Sequence, residues 1–291
     1  MPCESGDRVS ALSGERKRRF GLIGDPVQHS LSPAMHQAAF RELGVEASYE
    51  LVRVPARTPD AVESAMFELA AGGGGNVTLP HKRRAAEVLE VATEVVGRTG
   101  ACNCFWLDAA GRLAGDNTDV GGIRAVLESL DGFDPVGSHV LVVGAGGAGT
   151  AAVVAALDAG ASRVHVRNRT GERVSRLISS LGDPRLGEGD GETGVEDWDL
   201  VIQATSLGLF EEDSLPVPLR EMAPAHALDL VYRPGGTAWC RHARASGWTA
   251  EDGLRVLLEQ GVLSLERWLG FPIAPPVRVA MERALVRAAA R

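Results

Sequence analysis

Two serine hydroxyls close together are the first feature of this chain that could do chemistry. Ser30 and Ser32 directly precede Pro33, and hydroxyls two residues apart can both donate hydrogen bonds to one carboxylate. Ser32 can equally act as the N-cap of the helix that Pro33 begins, a structural role that is compatible with ligand binding. The pair predicts a carboxylate-binding position at the start of a helix.

A second polar cluster follows a short apolar strand. Asn76 and Thr78 alternate onto one face of that strand, and Lys82 follows the turn at Pro80. A lysine at a strand-to-helix turn is often only a surface charge. Beside amides and hydroxyls, however, its ammonium group could supply a proton to a substrate.

A third cluster combines Asn103 with residues 115–119, which read GDNTD. Asp119 stands just before a predicted helix that connects the two halves of the chain, so we expect its carboxylate to face a cleft between two domains. A pair of Lys82 and Asp119 among amides and hydroxyls suits a polyhydroxylated acid as substrate. It also suits hydride transfer to a ketone, because the alkoxide that forms must receive a proton.

Residues 140–149 read VLVVGAGGAG, an apolar strand followed by a glycine-rich turn and a predicted helix. The glycines fit the pattern G-x-G-x-x-G, which allows a tight turn, close approach of a pyrophosphate and close helix–strand packing. The N-terminus of the helix would offer its N–H groups to the phosphates. The residues predicted to bind a dinucleotide here are Gly144, Ala145, Gly146, Gly147, Ala148 and Gly149.

The next predicted strand ends in Asn168, Arg169 and Thr170, followed by Arg173. Proteins that bind NAD place a carboxylate at this position to hold the ribose 2′-hydroxyl. Guanidinium groups can instead bind a 2′-phosphate through charge-assisted pairs of hydrogen bonds. These residues therefore favour NADP. The alternative is that both arginines are solvated residues at the start of a helix.

The elements that must position these residues alternate between strand and helix. A hairpin predicted over residues 102–115 implies a mixed sheet in the first half, and residues 131–138 form a Gly- and Pro-containing boundary. Beyond the boundary, the βαβ pattern is typical of a Rossmann-type parallel sheet. We expect the glycines at residues 72–75 only to stop a helix, and residues 181–198 to form a loop.

Composition excludes several classes of protein. The 291 residues suit two domains, and a formal net charge of −8 argues against a nucleic-acid partner, because such domains are usually basic. No apolar run approaches the ~20 residues of a membrane helix. Residues 1–18 are polar and are predicted to be a disordered tail. Cys102 and Cys104 lack a second pair at zinc-site spacing, so they are interpreted as buried thiols of a cytoplasmic protein with no metal site.

In order and spacing, these motifs resemble those of the shikimate dehydrogenase family over about residues 19–270. Each matching segment is weak alone, but the ordered set is specific. The segments are residues 24–26, 29–33, 76–82, 100–103, 115–119, 144–149, 168–170 with 173, 204–208, 229–232 and 253–254 with 260.

The resemblance implies an α/β protein of two domains. Residues 19–118 together with residues 252–291 would form the substrate-binding and catalytic domain, whose mixed sheet the C-terminal helices complete. Residues 119–251 would form a Rossmann-type NADP-binding domain between them.

The resemblance also implies roles for individual residues. Lys82 and Asp119 would be the catalytic pair, with Asp119 orienting and tuning Lys82. The substrate carboxylate would bind the serine pair, and the rest of the substrate would bind Asn76, Thr78, Asn103, Tyr232 and Gln260. Besides the glycine turn and residues 168–173, the cofactor would contact Thr205, Val231 and Gly253.

The reaction of the family is the reduction of 3-dehydroshikimate to shikimate with NADPH, a step of chorismate and aromatic amino acid biosynthesis. The resemblance thus implies an NADP-dependent oxidoreductase acting on this small molecule as a monomer or homodimer. Three alternatives stay open. They are a paralogue acting on quinate or an amino-shikimate analogue, a non-catalytic NADP-sensing regulatory protein, and a tRNA- or folate-linked dehydrogenase, which would not need the paired serines.

Four positions depart from the family pattern. Cys104 stands where Thr is usual, and Gln203 replaces the Asn that precedes Ala-Thr-Ser. After residues 253–254, Arg255 and Val256 take the place of a small residue and Met. These departures bear on the preferred substrate or cofactor rather than on the type of reaction.

Overall fold

The computed structural model describes residues 17–189, 198–210, 212–217, 219, 223 and 225–290. The chain forms two compact units. The terminal unit comprises the chain up to Thr118 together with Gly261 and all that follows, and the central unit is Asp119–Gln260. Of the predicted tail, residues 1–16 lie outside the described residues, whereas residue 18 already belongs to a strand.

Six strands form a mixed sheet in the terminal unit. They are β1 Arg18–Gly24, β2 Ala47–Arg53, β3 Gly73–Val77, β4 Val91–Ala92, β5 Cys104–Leu107 and β6 Leu113–Asp116, in the spatial order β2-β1-β3-β5-β6-β4. β1 pairs in parallel with β2 and β3, whereas β5 is antiparallel to β3 and β6. The predicted hairpin and mixed sheet are thereby confirmed.

The glycine run at residues 72–75 does more than stop a helix, so that prediction is wrong. Three of the five residues of β3 are glycine, and β3 is an interior strand of the sheet. A Cβ on Gly74 would lie 2.6 Å from the Phe105 carbonyl oxygen and 2.8 Å from Cδ1 of Trp268. The glycines let both neighbours pack directly on the strand backbone.

The helices of the terminal unit follow its strands. They are α1 Ser32–Leu43, α2 Ala61–Gly72, α3 Lys82–Glu87 and α4 Glu94–Thr99, completed near the C-terminus by part of α9 Leu254–Leu269 and by α10 Pro275–Ala289. α10 packs against α1. Ile23, Met66, Val77, Phe105 and Leu113 are at the centre of one fully buried apolar core.

Six parallel strands form the sheet of the central unit. They are β7 His139–Val143, β8 Arg163–Arg167, β9 Leu186–Glu188, β10 Leu200–Gln203, β11 His226–Asp229 and β12 Thr249–Glu251, in the spatial order β12-β11-β10-β7-β8-β9. Counted from β7, this is the strand order of the Rossmann fold, as predicted. The helices are α5 Thr118–Leu127, α6 Gly147–Asp158, α7 Gly171–Leu181, α8 Ala238–Ala245 and the first part of α9.

Three boundaries differ from the sequence-based ones. β9 lies inside residues 181–198, which were predicted to be a loop; a three-residue, partly exposed strand at a sheet edge has no apolar pattern to find. Asp119 lies in the first turn of α5 rather than just before it. The terminal unit resumes at Gly261, whereas the sequence suggests that it resumes at residue 252. The reason is that the continuous helix α9 crosses the division between the units.

Candidate active site

The serine pair lies at the start of α1 in the terminal unit. α1 begins at Ser32 with Leu31 as its N-cap, so Ser32 is not itself the cap. The Ser32 N–H donates to Ser30 Oγ, and the Ser30 hydroxyl donates to Ser32 Oγ, each at 3.2 Å. Two hydroxyls thus lie side by side at a helix N-terminus, where the helix dipole favours a negatively charged group.

Lys82 is the first residue of α3. Its carbonyl accepts a hydrogen bond from the Cys102 N–H at 2.8 Å, which ties the start of α3 to the segment before Asn103. The preceding residue, His81, is buried, and its Nε2 lies 2.7 Å from the Val54 carbonyl oxygen. The backbone that carries Lys82 is therefore held on both sides.

The type of cation at Lys82 is itself informative. Lys17 and Lys82 are the two lysines among 30 Lys and Arg residues. An ammonium group can exchange its proton in a protein, whereas a guanidinium group stays protonated.

Cys102, as interpreted, is a buried free thiol. Burial raises its pKa to about 12, and the nearby Lys82 charge offsets this only in part, so the thiol stays protonated at neutral pH.

Two asparagine amides lie together near the end of β3. Asn76 and Asn103 are 5% and 2% exposed, and Asn76 Nδ2 donates to the Asn103 carbonyl at 3.0 Å. Asn103 Oδ1 accepts the Thr118 N–H at 2.7 Å. Thr78 directly follows β3, and its N–H donates to the Ile23 carbonyl at 2.8 Å. The structure thus brings two of the predicted hydroxyl-binding amides into one buried cluster.

Three further residues bond to these amides and were missed by sequence reasoning. Tyr49 in β2, Thr118 at the start of α5 and Ser264 in α9 are all buried. Thr118 belongs to a motif that the sequence analysis used, so it could have been found there. Tyr49 and Ser264 belong to no motif, and Ser264 lies 188 residues from its partner Asn76.

The predicted substrate and catalytic residues are divided between the two units. Ser30, Ser32, Asn76, Thr78, Lys82 and Asn103 belong to the terminal unit, whereas Asp119, Tyr232 and Gln260 belong to the central unit. Within the central unit, Gln260 is 8% exposed and its Nε2 donates to the Leu257 carbonyl at 2.8 Å. α5 and α9 approach closely at Gly122, where a Cβ would lie 2.8 Å from the Gln260 nitrogen.

The glycine turn of the central unit is closely packed on one side and open on the other. Gly144 has a φ of +118°, and a Cβ there would lie 2.8 Å from the Ala204 carbonyl oxygen. A Cβ on Gly149 would overlap the Gly144 carbonyl, whereas no heavy atom lies within 4 Å of one on Gly146. Two glycines thus allow close packing, and the open side at Gly146 leaves backbone accessible to a phosphate.

The end of β8 is tied to this turn. Asn168 Oδ1 accepts the Ala145 N–H at 3.2 Å, and its Nδ2 donates to the Thr170 carbonyl at 3.0 Å. Arg169 and Arg173 are exposed on either side of the start of α7. Exposed guanidinium groups at this position suit a 2′-phosphate. Asn168 would position the loop that carries them.

A buried polar centre joins the ends of β10 and β11. Asp229 is fully buried. Its Oδ1 accepts hydrogen bonds from the Val231 N–H at 3.0 Å and from Gln203 Nε2 at 3.2 Å. Its Oδ2 accepts a hydrogen bond from the Thr237 hydroxyl at 2.6 Å. Gln203 Oε1 in turn accepts the Thr205 N–H. Burial raises the pKa of Asp229 to about 6, even though these hydrogen bonds oppose the shift. In the sequence alone, Gln203 stands out only as a departure from the family pattern.

This centre brings together the remaining predicted cofactor residues. Thr205 and Val231 are joined through Gln203 and Asp229, and the Gly253 N–H donates to the Val231 carbonyl at 3.1 Å. A Cβ on Gly253 would overlap the carbonyl of Leu230, so the close approach of these segments requires glycine.

The departures at residues 255 and 256 have structural partners in the central unit. Arg255 Nη1 donates to both carboxylate oxygens of Glu251, at 2.7 and 3.0 Å, and its Nη2 donates to the Ser129 hydroxyl oxygen. Val256 is buried. The charge of Arg255 in α9 is therefore paired with the carboxylate of Glu251 at the end of β12.

In the part of the chain that the structure describes, no group of three or more His, Cys, Asp or Glu side chains is placed to hold a metal ion. None of the described helices combines the length and hydropathy needed to cross a membrane.

Two family models match the chain. The model described as "Shikimate dehydrogenase substrate binding domain" matches residues 22–105, within the terminal unit. The model described as "Shikimate / quinate 5-dehydrogenase" matches residues 129–210, within the central unit.

Curated relatives and solved structures extend this match over nearly the whole chain. The shikimate dehydrogenase (NADP(+)) of Rubrobacter xylanophilus is 40% identical over 289 residues, covering 95% of this chain and 98% of the relative. That of Geobacillus kaustophilus is 36% identical, covering 86% and 92%. Among solved structures, the chain is similar to shikimate 5-dehydrogenase from Thermus thermophilus, which was solved in complex with NADP(H) and shikimate. The TM-score is 0.81 and the sequence identity is 38%, and the match covers 93% of this chain and 99% of that structure. With such similarity along both units, this chain belongs to the shikimate dehydrogenase family.

Proposed function

We propose that this protein catalyses the reversible NADPH-dependent reduction of 3-dehydroshikimate to shikimate, in chorismate and aromatic amino acid biosynthesis. The observation that carries the proposal is the Thermus thermophilus relative solved with NADP(H) and shikimate, which is 38% identical over 93% of this chain. The donor groups of both units suit these two ligands.

The substrate is an anion that carries several hydroxyl groups. The hydroxyls of Ser30 and Ser32, 3.2 Å apart at the start of α1, would bind its carboxylate. The amides of Asn76 and Asn103 and the hydroxyl of Thr78 would bind its ring hydroxyls. Neutral amides suit this task because they can both donate and accept hydrogen bonds.

The glycine turn and the arginines fit NADP. The turn would hold the pyrophosphate where the open side at Gly146 leaves backbone accessible, and Arg169 and Arg173 would hold the 2′-phosphate. When bound, NADP supplies or accepts the hydride of the reaction. Thr205, Val231 and Gly253 would contact the cofactor from segments that the Asp229 centre joins.

Proton transfer is assigned to the catalytic pair. Lys82 would give a proton to the ketone oxygen during reduction and take it back during oxidation of the alcohol. The carboxylate of Asp119 would orient the ammonium group and stabilise its charge. A lysine is suited to this role because, unlike the arginines used almost everywhere else in the chain, it can exchange its proton.

A quinate or amino-shikimate dehydrogenase is the second candidate, since the family model for the central unit includes quinate dehydrogenases. Arg169 and Arg173 argue against an NAD-dependent quinate enzyme, because they favour a 2′-phosphate. A non-catalytic NADP sensor would have no use for the proton-exchanging Lys82 or the paired serines.

The test is a cofactor and substrate matrix with the purified protein. Shikimate or quinate is combined with NADP+ or NAD+, and the nicotinamide absorbance is followed. We expect shikimate with NADP+ to give the highest kcat/KM. Activity with quinate and NAD+ alone would overturn both the substrate and the cofactor, and no activity in any combination would favour the sensor.

The proposal also covers location and assembly. A cytoplasmic enzyme is supported by three described cysteines, Cys102, Cys104 and Cys240, which are all free and buried. We propose a monomer or a homodimer, which sedimentation of the full chain would distinguish.

A further inference from the structure

Five buried side chains of the terminal unit form one continuous series of hydrogen bonds. In order they are Tyr49, Asn76, Ser264, Thr118 and Asn103. The distances are 2.9 Å from Tyr49 Oη to Asn76 Oδ1, 2.9 Å from Asn76 Nδ2 to Ser264 Oγ, 3.1 Å from Ser264 Oγ to Thr118 Oγ1, and 3.1 Å from Thr118 Oγ1 to Asn103 Oδ1. None of the five is more than 7% exposed.

Backbone groups determine which end of each amide is oxygen. Asn76 Nδ2 faces the Asn103 carbonyl at 3.0 Å, and a carbonyl can only accept, so the nitrogen must lie there. Asn103 Oδ1 faces the Thr118 N–H at 2.7 Å, and an N–H can only donate, so the oxygen must lie there. Neither amide can flip without losing a buried hydrogen bond.

The direction of the hydroxyl protons then follows by elimination. The Tyr49 hydroxyl donates to Asn76 Oδ1, and the Thr118 hydroxyl donates to Asn103 Oδ1, because an amide oxygen can only accept. The Thr118 proton is thereby used, so the Ser264 hydroxyl donates to Thr118 Oγ1 while its oxygen accepts from Asn76 Nδ2. Ser264 is the link between the two amides.

This order gives the amides opposite hydrogen-bonding characters. Both protons of Asn76 Nδ2 are committed, to the Asn103 carbonyl and to Ser264, which leaves Asn76 with acceptor capacity on its oxygen. Asn103 turns its oxygen to Thr118 and therefore its donating nitrogen away from it. A hydroxyl can both donate and accept, so an acceptor and a donor in fixed places can each bind one hydroxyl of a substrate ring.

We propose that Ser264 and Tyr49 are positioning residues for substrate binding. Together with the backbone groups that determine the direction of each amide, they hold Asn76 in place as the acceptor and Asn103 as the donor toward the substrate hydroxyls. This inference rests on the proposed function. Ser264 is fully buried, so it acts through the amides rather than by touching substrate. Removing its hydroxyl leaves one Asn76 proton without its acceptor and Thr118 Oγ1 without its donor, so that the backbone hydrogen bonds alone hold the two amides and their positions become less fixed.

The test uses Ser264→Ala and Tyr49→Phe in the full chain. Each should raise the KM for shikimate about fivefold to a hundredfold, the effect of one unsatisfied buried polar group, while the KM for NADP+ stays unchanged and kcat falls less. Because both act on Asn76, the double variant should be far from additive. Ser264→Cys, which keeps the shape but forms weak hydrogen bonds, should resemble Ser264→Ala and so exclude a packing effect.

Ser138→Ala is the matched control, because Ser138 is also a buried serine and donates to the Pro135 carbonyl at 2.8 Å in the central unit. It should leave the KM for shikimate unchanged. If Ser264→Ala does not fold, the KM for shikimate of Tyr49→Phe tests the proposal alone. This variant should fold, because the phenylalanine ring can keep the stacking contact with His36, at a centroid distance of 4.6 Å.

The outcomes separate this inference from the proposed function. Wild-type turnover together with an unchanged KM for shikimate in both variants would overturn the positioning role only. Equal increases in both KM values, or a Ser264→Cys variant like the wild type, would also overturn it by indicating a structural effect. If the wild type neither turns over shikimate nor binds it by calorimetry, the proposed function fails and the substrate role of Ser264 fails with it.

Discussion

The terminal unit surrounds its candidate ligand positions with side chains, whereas the glycine turn of the central unit offers backbone. Asn76, Asn103, Thr118 and Ser264 bond one another before any ligand is considered. The turn at residues 144–149 is instead two-thirds glycine. The N-cap of α6 is Gly146, so no side chain of the N-cap residue bonds to the N–H groups of the first turn.

The difference follows from what each ligand looks like. A pyrophosphate is recognised by charge and by N–H groups, which any backbone supplies if it can come close enough. A ring with several hydroxyls is recognised by the place and direction of each hydrogen bond, which requires side chains of fixed orientation. The predictions below test this contrast, beginning with the largest effect.

Lys82 should be the most sensitive side chain of the terminal unit. Lys82→Ala should lower kcat by about 10²–10⁴-fold, the usual contribution of a positioned proton donor, with little change in KM. Lys82→Arg should also be slow, because a guanidinium keeps the charge but does not release its proton. Steady-state kinetics checks both, and a near-normal kcat in Lys82→Ala would remove this role.

The scarcity of lysine provides a direct control. Lys17→Arg should be fully active and leaves Lys82 as the single lysine of the chain. In that variant, an amine-selective reagent can modify only the Lys82 side chain and the N-terminal amino group. We expect modification to inactivate the enzyme and bound shikimate to slow the inactivation.

Two glycines of the central unit should respond in opposite ways. Gly149→Ala should lower the free energy of unfolding by about 1–3 kcal/mol, because its Cβ would overlap the Gly144 carbonyl. Gly146→Ala has room and a φ of −90°, so it should keep the wild-type stability but raise the KM for NADP+ at least about tenfold by obstructing close approach of a phosphate. Denaturant unfolding and kinetics are the measurements; equal effects of both variants would contradict the backbone interpretation.

Arginine side chains should determine the choice between NADP and NAD. Arg173→Ala should raise the KM for NADP+ by about tenfold to a hundredfold, the effect of losing a charged hydrogen bond, and leave that for NAD+ unchanged. Arg176→Ala is the matched control on the same helix, because Arg176 pairs with Glu172 at 3.6 Å. A similar effect of the control would indicate a general loss of positive charge rather than a 2′-phosphate site.

The last two predictions concern pH, on which the stabilities of the two units should depend with opposite signs. His36 in the terminal unit is fully buried, and burial lowers its pKa to about 3 from an ordinary value of 6.5. The unfolded chain then binds more protons than the folded one, so the terminal unit loses stability as the pH falls below about 6.5. His36→Phe should remove this loss and keep the aromatic packing against Tyr49.

Asp229 acts in the other direction in the central unit. Burial raises its pKa to about 6, so its contribution to stability is complete below the unfolded value of about 3.8 and is lost as the pH rises through about 6. Asp229→Asn should remove this dependence, which amounts to about 1–3 kcal/mol. Peptide-resolved hydrogen exchange at pH 4.5 and 7 reports each unit separately, and a common sign in both would contradict the contrast.

Much of the central unit could be predicted from the sequence. The strand at residues 139–143, the glycine turn and the arginines after β8 are each continuous in the chain, and their chemistry depends on close neighbours. The short edge strand β9 escaped because three partly exposed residues show no apolar pattern. Asp229 could be noted only as part of a segment that matches the family. Its raised pKa results from burial, which the sequence does not show.

The terminal unit was less predictable. The sequence indicated the serine pair, Lys82 and both asparagines, because polar residues at the ends of apolar strands are conspicuous. It misjudged the glycines of β3, whose purpose is visible only once Phe105 and Trp268 lie against them. It also suggested Ser32 as a helix cap, although the helix starts at that residue.

By itself, then, the sequence determined the fold class, the dinucleotide turn, the preference for NADP and the residue types available for proton transfer, because each depends on residues adjacent in the chain. Only the tertiary structure decided how the amides of Asn76 and Asn103 are oriented. The Ser264 hydroxyl that links them is 188 residues from Asn76 and 146 from Thr118. The direction of a hydrogen bond depends on which partners folding brings within about 3 Å, and local patterns in a sequence do not record such distant partners.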